Sequence, residues 1–437
     1  MKFISYLCFF FLLLLNASTG FAKTYDLGGL YTLTYSNGLY ADWGDYERIS
    51  AQIAVDDINQ SGMLGDDVLR LLNENIIDFH CAEQGSKELA EKMFSRQDLL
   101  AVLGIDCSGP AEIFANAATK YEKPAISCGA GAEPLGDAEK FPYFVRVMSP
   151  SSVFESVFFP ILKKYNLDGI AVFHTSDIWG SSAKDALIKE AQAQNIRVDG
   201  IYGYDRNTSF EKVYYYLSQA KAKGIKHYFI IMPVPDTALV FQAARALKMQ
   251  KGYTFYSSEI LSPNNAQAAL TGAIGNFAPK TTFPDTPELK EYIKKLSERV
   301  GTEVNPESSA FLWGILGYDN VRIVAEAIVM AKKDGITEIN GKTLMPYLRK
   351  AEYTGLTGKI KIAEGTNNRE SMDIDIINLH GFVVDESYIS RWLYTIKNPD
   401  GPQINYQKVG KVSSEGEFTF DESKVVWPGN ASSPNAE

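Results

Sequence analysis

Runs of basic residues are absent from this 437-residue sequence. Its 43 Lys and Arg residues are outnumbered by 53 Asp and Glu residues, which gives a formal net charge of -10, and the carboxylates are dispersed along the chain. Proteins that bind a phosphate backbone carry clustered positive charge, so this balance argues against a nucleic-acid partner. The hydrophobic fraction of 45% supports large cores, and the length suggests two or three domains.

Long apolar runs are also absent beyond the first 22 residues, so no later segment is expected to span a bilayer. The start has Lys2, an apolar core over 3–15 and then Gly20-Phe21-Ala22, the pattern of a signal peptide cleaved after Ala22. The core is shorter than the roughly 20 residues of a transmembrane anchor. Cys8 lies inside this core rather than in a lipoprotein box. We therefore expect an exported protein.

Cysteine is scarce, and removal of the signal peptide leaves Cys81, Cys107 and Cys128. In an oxidising compartment two of the three can pair, and the sequence alone allows three pairings. A metal site is the alternative, but the four His residues are scattered and neither C-x-x-C nor H-E-x-x-H occurs. We expect no metal and no cofactor.

Enzyme motifs are missing as well. The sequence contains no G-x-x-x-x-G-K-[ST], no G-x-S-x-G and no G-x-G-x-x-G that opens a helix after a strand. The segment 129–134 is rich in glycine, but its Pro and its missing third Gly argue against a nucleotide loop. A Ser or Cys nucleophile needs a His base, and none lies nearby in sequence. We expect no catalysis, with a secreted hydrolase as the enzymatic alternative.

From Tyr25 onward, short β-rich runs alternate with amphipathic stretches, which is typical of an α/β protein with parallel sheets. A polar junction at 146–150 separates two such series and is a candidate crossing between lobes. The predicted helices are 45–61, 86–97, 111–121, 152–165, 181–194, 210–223, 236–247, 287–299 and 308–332. The predicted strands are 99–104, 124–127, 169–174, 201–204, 227–232, 254–256, 356–362 and 372–377.

Polar and aromatic residues follow these strands directly. In open parallel sheets, ligands bind at the carboxyl ends of the strands. Cys107-Ser108 and 128–131 follow two strands of the first series, and 175–179, 233–236 and 257–259 follow strands of the second. Two such edges facing each other predict a small-molecule cleft with a hydroxyl, backbone N–H groups, an aromatic wall and a carboxylate.

An ordered set of motifs runs along the chain. It begins with Ala41-Asp42-Trp43-Gly44-Asp45, then Ala54 to Asn59, Cys81, Gly104-Ile105-Asp106-Cys107-Ser108 and Ile126-Ser127-Cys128-Gly129-Ala130. It extends through Trp179-Gly180 and Ser258-Glu259 to about Ile362. This set resembles type I periplasmic binding proteins, and within them the leucine/isoleucine/valine-binding branch of ABC importers. The resemblance implies an α/β fold of two lobes, each with a mainly parallel sheet flanked by helices, joined by crossover hinge strands.

The resemblance also implies a ligand site. The Ser108 hydroxyl and neighbouring N–H groups would hold a ligand carboxylate, and Glu259 would pair with a ligand ammonium through charge-assisted hydrogen bonds. Gly131 stands where the amino-acid binders carry Thr, and Trp179 where they carry Tyr, so a plain aliphatic amino acid is not expected. The implied contacts are Trp43, Ser108, Gly129, Ala130, Gly131, Trp179 and Glu259.

The same resemblance implies a Cys81–Cys107 disulfide, with Cys128 free. The candidate site residues also have structural alternatives. Trp43 and Trp179 could be core aromatics. Ser108 could be a helix N-cap, and Glu259 an exposed loop carboxylate.

The expected domains are the signal peptide 1–22, an N-terminal lobe of 23–148 plus about 279–355, and a C-terminal lobe of 149–278 plus about 356–397. Residues 398–437 are expected to form a loosely packed extension with a flexible tail from about Gly429. The implied function is that of a monomeric periplasmic component of an ABC transporter. It would capture a small polar organic ligand, such as an amino acid or an amide, by hinge closure and pass it to a membrane permease. The rival is a ligand-sensing receptor of the same fold without coupling to transport.

Overall fold

The computed structural model describes residues 22–258, 273–306, 308–383 and 403–434. Residues 1–21, the bulk of the predicted signal peptide, lie outside these ranges. The described chain forms two lobes, each built on a mainly parallel sheet flanked by helices. The predicted two-lobed α/β fold is therefore confirmed. Within the described ranges, no helix is both long enough and apolar enough to cross a bilayer.

Lobe 1 is built on a six-stranded sheet of order β2-β1-β4-β5-β6, in which β3 also pairs with β1. All of these pairings are parallel. The strands are β1 Thr24–Tyr31, β2 Val68–Arg70, β3 Ile76–Asp78, β4 Leu99–Gly104, β5 Ala125–Ser127 and β6 Phe144–Arg146. The helices that follow its strands are α1 Asp42–Ser61, α2 Ser86–Phe94 and α3 Ser108–Lys120.

Lobe 2 is built on an eight-stranded sheet of order β16-β15-β14-β11-β10-β9-β7-β8. Its strands β7 to β11 are parallel, and β14 to β16 are antiparallel. The first five strands are β7 Gly169–Thr175, β8 Arg197–Tyr204, β9 His227–Ile231, β10 Thr254–Ser257 and β11 Phe277–Thr281. The helices are α4 Ser151–Ser156, α5 Phe159–Lys164, α6 Ile178–Ala193, α7 Phe210–Ala222 and α8 Val234–Ala246.

The chain then returns to lobe 1 with three helices and a hairpin. They are α9 Pro287–Val300, α10 Ser309–Lys333, α11 Gly341–Lys350, β12 Glu352–Gly355 and β13 Gly358–Lys361. The remaining strands belong to lobe 2 and are β14 Ile374–Val383, β15 Gln403–Val412 and β16 Phe418–Phe420. The long helix α10 packs along α1, which explains its almost continuous apolar sequence.

The hairpin shifts the expected domain boundary at 355/356. Asp319 of α10 accepts hydrogen bonds from the N–H groups of Leu356 and Thr357, each at 2.9 Å. Leu356 also packs with Ile53 of α1. Residues 356–361 therefore belong to lobe 1, and the chain re-enters lobe 2 between β13 and β14.

Three segments of the described chain cross between the lobes, at 147–150, 282–286 and 362–373. They are hydrogen-bonded to one another. The Ser149 N–H lies 3.4 Å from the Met372 Sδ, and the Thr282 N–H donates to the Asp373 carbonyl at 2.9 Å. The crossovers thus form one connected unit, as a hinge between two rigid lobes requires.

The C-terminal segment differs from the expectation of a loose extension. β15 pairs with β14 in the lobe 2 sheet, and Trp427 is buried against Tyr165 and Phe277 at ring distances of 5.2 and 5.3 Å. The expectation was based on the overall Pro, Gly, Ser and Asn content of 398–437. Within that segment, β15 is free of proline and forms a strand. The expectation was wrong for 403–434, while 398–402 and 435–437 lie outside the described residues.

The predicted helix 152–165 is two helices, α4 and α5. Pro160 lies in the first turn of α5, where a backbone N–H has no acceptor within the helix, so proline is tolerated there. In the middle of one continuous helix, Pro160 could not donate the required backbone hydrogen bond.

Strand 99–104 is found at the predicted bounds. The helix predicted at 45–61 begins earlier, at Asp42, and ends at Ser61, before Gly62 in the left-handed conformation. That end is typical of a helix C-terminus. Strands β1, β2, β3, β6 and β11 were not predicted.

The disulfide joins Cys81 and Cys107, whose Cα atoms are 5.5 Å apart, and Cys128 is free and buried. The pairing implied by the resemblance is therefore confirmed. The bridge ties the loop after β3 to the start of α3, directly beneath the edge of the sheet where the predicted cleft lies.

Replacing both bridged cysteines with serine is expected to lower the free energy of unfolding by about 3 kcal/mol, because the bridge closes a loop with a sequence separation of 26. Urea denaturation of the wild type and of the Cys81→Ser/Cys107→Ser variant would measure this difference. A reducing agent should shift the wild-type midpoint and leave the variant unchanged. Equal midpoints for the oxidised wild type and the variant would contradict the prediction.

Candidate functional site

A cavity of about 230 Å³ lies between the lobes at the carboxyl ends of the strands. Residues that follow strands line it, as the sequence predicts for the edges of two parallel sheets. From lobe 1 these residues include Ser108 and Gly129, which follow β4 and β5. From lobe 2 they include Trp179, Pro233 and Ser258, which follow β7, β9 and β10.

Ser108 lies on the lobe 1 wall as the first residue of α3. The N-cap position is taken by Cys107, so Ser108 is not the cap that the alternative interpretation required. Its Oγ accepts a hydrogen bond from the Ala132 N–H at 3.1 Å, which leaves its O–H as a donor. The helix N-terminus adds partial positive charge, so this wall suits a carboxylate or carbonyl group.

The loop after β5 is held in one conformation by its own hydrogen bonds. The N–H groups of Gly129 and Ala130 donate to the Ser127 Oγ at 3.3 and 3.0 Å. The Ala130 carbonyl accepts from the buried Arg146 guanidinium. Of the three amides in 129–131, only that of Gly131 has no acceptor within the described part of the chain. Of the three predicted residues, only Gly129 lines the cavity, and Ala130 and Gly131 lie outside its lining.

The two glycines of this loop make room for side chains of the cleft. A Cβ on Gly129 would lie 2.1 Å from the Cζ3 of Trp313, so the indole rests directly on that backbone. A Cβ on Gly131 would lie 2.3 Å from the Ser151 Oγ. That Oγ accepts the indole N–H of Trp179 at 2.8 Å. The Gly131 and Trp179 departures from the importer pattern are therefore linked, because a Thr at 131 would displace Ser151.

Trp43 does not line the cavity. Its ring lies behind that of Trp313, with the ring centroids 5.3 Å apart, and its indole N–H donates to the Tyr35 hydroxyl at 2.8 Å. Trp43 therefore supports a wall residue, whereas Trp313 was missed by sequence reasoning. Its position on the apolar helix α10 made it resemble a core residue.

Glu259 lies outside the described residues, so its predicted role stays a prediction. Glu155 of α4 is a carboxylate that the structure places in the wall of the cleft, at 2% exposure. The signal for it was in the sequence, since positions 151, 154, 155 and 158 share one helical face with apolar neighbours. Burying a carboxylate on an apolar helix face is costly unless a polar or charged group interacts with it.

Arg206 was also missed, although it follows β8 just as the other cleft residues follow their strands. Its guanidinium lies 6.0 Å from the Trp179 ring centroid and donates to the Asp177 carboxylate. Asp177 in turn caps α6 by accepting the Gly180 N–H at 2.9 Å. This network fixes the Trp179 ring from the lobe 2 side.

A second acidic group, Asp106, lies beneath the cleft in a buried cluster with Glu47 and Cys128. Asp106 accepts hydrogen bonds from the Thr32 hydroxyl at 2.9 Å and the Thr32 N–H at 3.3 Å, and burial raises its pKa to about 7. The Cys128 thiol donates to Glu47, and burial raises the pKa of Glu47 well above its usual range. Burial therefore favours the protonated form of Glu47.

We expect the free energy of unfolding to fall as the pH rises from about 4 to about 7. The unfolded pKa of Asp106 is about 4, so the folded state holds the proton more tightly, and this stabilisation is lost as the carboxyl ionises. Urea midpoints across this range should fall less in Asp106→Asn. Asp98→Asn is the matched control, because pairing with Arg96 lowers the pKa of Asp98 and its own effect lies below pH 4. A wild-type slope retained by Asp106→Asn would contradict this assignment.

The cleft offers a hydroxyl on the lobe 1 wall and a carboxylate and an indole on the lobe 2 wall. In the described part of the chain, no group of three or more His, Cys, Asp or Glu residues is arranged to hold a metal ion.

Residues 46–381 match the family model described as receptor family ligand binding region. This match covers more than half of the chain, and the chain belongs to this family of two-lobed ligand-binding domains. The fold and the position of the cleft agree with that membership.

The relatives it resembles are receptors. The chain is 25% identical over 275 residues to metabotropic glutamate receptor-like protein E of Dictyostelium discoideum, covering 59% of this chain and 32% of that protein. It is 21% identical over 422 residues to glutamate receptor 3.7 of Arabidopsis thaliana, covering 88% of this chain and 43% of that protein. A metabotropic glutamate receptor of Drosophila melanogaster is 22% identical over 193 residues, 43% of this chain and 19% of that receptor. The chain thus spans less than half the length of these relatives.

These findings correct the expected branch of the family. The resemblance to importer proteins holds for the fold, but the relatives are receptors, and a membrane permease as partner has no support. The ligand-sensing alternative agrees better with them.

Proposed function

We propose that this chain is a ligand-sensing domain that binds a small polar organic molecule between its two lobes and does not convert it chemically. The ligand carries an amine and a carboxylate or carbonyl group. The observation that carries the proposal is the cleft itself. Its lobe 1 wall presents the Ser108 hydroxyl, and its lobe 2 wall presents the Glu155 carboxylate.

Binding by closure follows from this distribution of groups. A ligand that bonds to Ser108 on one lobe and to Glu155 on the other gains both sets of charge-assisted hydrogen bonds only when the lobes approach each other. The three hydrogen-bonded crossovers supply the hinge for that movement. In a receptor, the closed state is then the signal that the rest of the protein reads.

The proposed location of this domain is outside the cytoplasm. The predicted signal peptide and the Cys81–Cys107 disulfide support export to an oxidising compartment. The receptor identity of the relatives supports an extracellular ligand-binding role rather than delivery to a permease.

Native mass spectrometry of the protein, followed by thermal unfolding with the ligand that it retains, tests the proposal. A binder is stabilised by about 2.7 kcal/mol when the ligand exceeds its dissociation constant a hundredfold, and the ligand mass stays unchanged. Ser108→Ala should reduce this stabilisation, while Ser218→Ala, at a half-buried serine of α7 outside the cavity lining, should not. A ligand hydrolysed on incubation, or no bound small molecule in any preparation or amine screen, would contradict the proposal.

A further inference from the structure

Two indole rings line the cleft, one from each lobe. Trp313 belongs to α10 of lobe 1, and Trp179 to the first turn of α6 in lobe 2. Large flat side chains at a cavity offer apolar area and a stacking surface to a ring on the ligand. The positions of both rings therefore indicate which kind of side chain the ligand carries.

Each indole depends on one glycine of the loop after β5. Trp313 occupies the space of a Cβ on Gly129, and Ser151, which orients Trp179, occupies that of a Cβ on Gly131. Alanine at either position would move a wall residue. The two glycines thus leave the space that Trp313 and the Ser151–Trp179 pair occupy, and a side chain at position 129 or 131 would displace them.

Both rings are also fixed from behind. Trp43 packs against Trp313 with the ring centroids 5.3 Å apart and is itself held by Tyr35. Trp179 is held by the hydrogen bond to Ser151 and by the Arg206 guanidinium near its ring. Rings that are immobile before binding lose little conformational entropy when a ligand stacks on them.

The charges of the cleft argue against a ligand with a second carboxylate. Arg206 already donates to Asp177, and Lys280, another cation of the cleft wall, is also engaged in an interaction, as is Glu155. The lining also contributes apolar surface beyond the indoles. The apolar residues are Met148, Phe154, Pro279, Phe283, Pro306 and Leu312.

We propose that the cleft selects an amino acid with an aromatic side chain, or a close analogue, whose ring lies against Trp313 and Trp179. This inference rests on the proposed function, which supplies the ligand's amine and carboxylate. It adds that the ligand's side chain is aromatic. Ser108 holds the carboxylate end, Glu155 faces the amine, and the indoles contact the ring.

Isothermal titration of the full chain with L-tryptophan, L-phenylalanine, L-leucine and L-glutamate tests this proposal. We expect the aromatic amino acids to bind at least tenfold more tightly than leucine and glutamate. Trp313→Leu should reduce that preference at least fivefold with little effect on leucine, and Trp313→Phe should keep most of it. Trp179→Leu should act in the same direction, and Tyr215→Leu, an exposed aromatic of α7, is the matched control.

The outcomes separate the two proposals. Tighter binding of leucine or glutamate than of the aromatic amino acids would overturn the aromatic class and leave the proposed function in place. An aromatic preference that survives both Trp313→Leu and Trp179→Leu in folded protein would also overturn it. Binding of none of the four by folded protein would contradict both proposals.

Discussion

Replacing Arg369 with leucine is expected to lower the free energy of unfolding by about 4 kcal/mol. The Arg369 guanidinium is 1% exposed, and burial lowers its pKa to about 10, so it stays charged at neutral pH. It donates to the carbonyls of Val147, Thr357, Lys359 and Ser371 at 2.6–3.1 Å. Leucine would leave these buried acceptors without a donor, and each such loss costs about 1–3 kcal/mol before relaxation.

Urea denaturation measures this loss, with Arg197→Leu as the control. Arg197 forms exposed ion pairs with Asp168 and Asp199, whose removal should cost less than about 1 kcal/mol. Because Arg369 joins the crossover at Val147 to the hairpin of lobe 1, its loss should also loosen the hinge. Equal costs for the two variants would show that the crossovers do not depend on Arg369.

Glu155→Gln is expected to weaken binding of an amine-bearing ligand by about 2–5 kcal/mol, mostly through faster dissociation. The carboxylate lies in the cleft wall at 2% exposure, where a charge pair is little screened by water. Glutamine keeps the size of the side chain and removes the charge. Stopped-flow or surface-based kinetics on the ligand retained by the wild type would resolve the dissociation rate.

Glu211→Gln is the matched control, because Glu211 is an exposed residue of α7 in the same lobe. Glu259→Gln should be measured beside it, since the family resemblance assigns the ammonium contact to that residue. A large loss in Glu259→Gln together with a harmless Glu155→Gln would return the role to Glu259 and contradict our assignment of Glu155.

The strands that end at the cleft, β4, β5 and β7 to β10, could be predicted from the sequence. So could the edges of the two sheets at which the cleft lies. Short apolar runs such as 99–104 lie between turn residues, and the residues that follow them must gather at one edge when strands are parallel. Ser108, Gly129 and Trp179 were found in this way. The same rule applied to the strand ending at Tyr204 would have found Arg206.

The rest depended on contacts between distant parts of the chain. Trp313 lies 184 positions after Gly129 in sequence, and only packing shows that its ring rests on that glycine. The hydrogen bonds of Gly129 and Ala130 to Ser127 could not be foreseen either, because they depend on the loop conformation. The packing of 403–434 into lobe 2 could not be predicted from its polar composition. A segment pairs as a β-strand when a partner strand is available, whatever its average polarity, and β14 is that partner for β15.

Small-angle X-ray scattering of the chain, with and without the ligand retained after purification, tests whether the ligand is captured between the lobes. We expect saturating ligand to lower the radius of gyration, because groups on both lobes must approach one molecule. Ser108→Ala should need a higher ligand concentration for the same compaction. A ligand that raises the melting temperature while the radius of gyration stays fixed would contradict capture between the lobes.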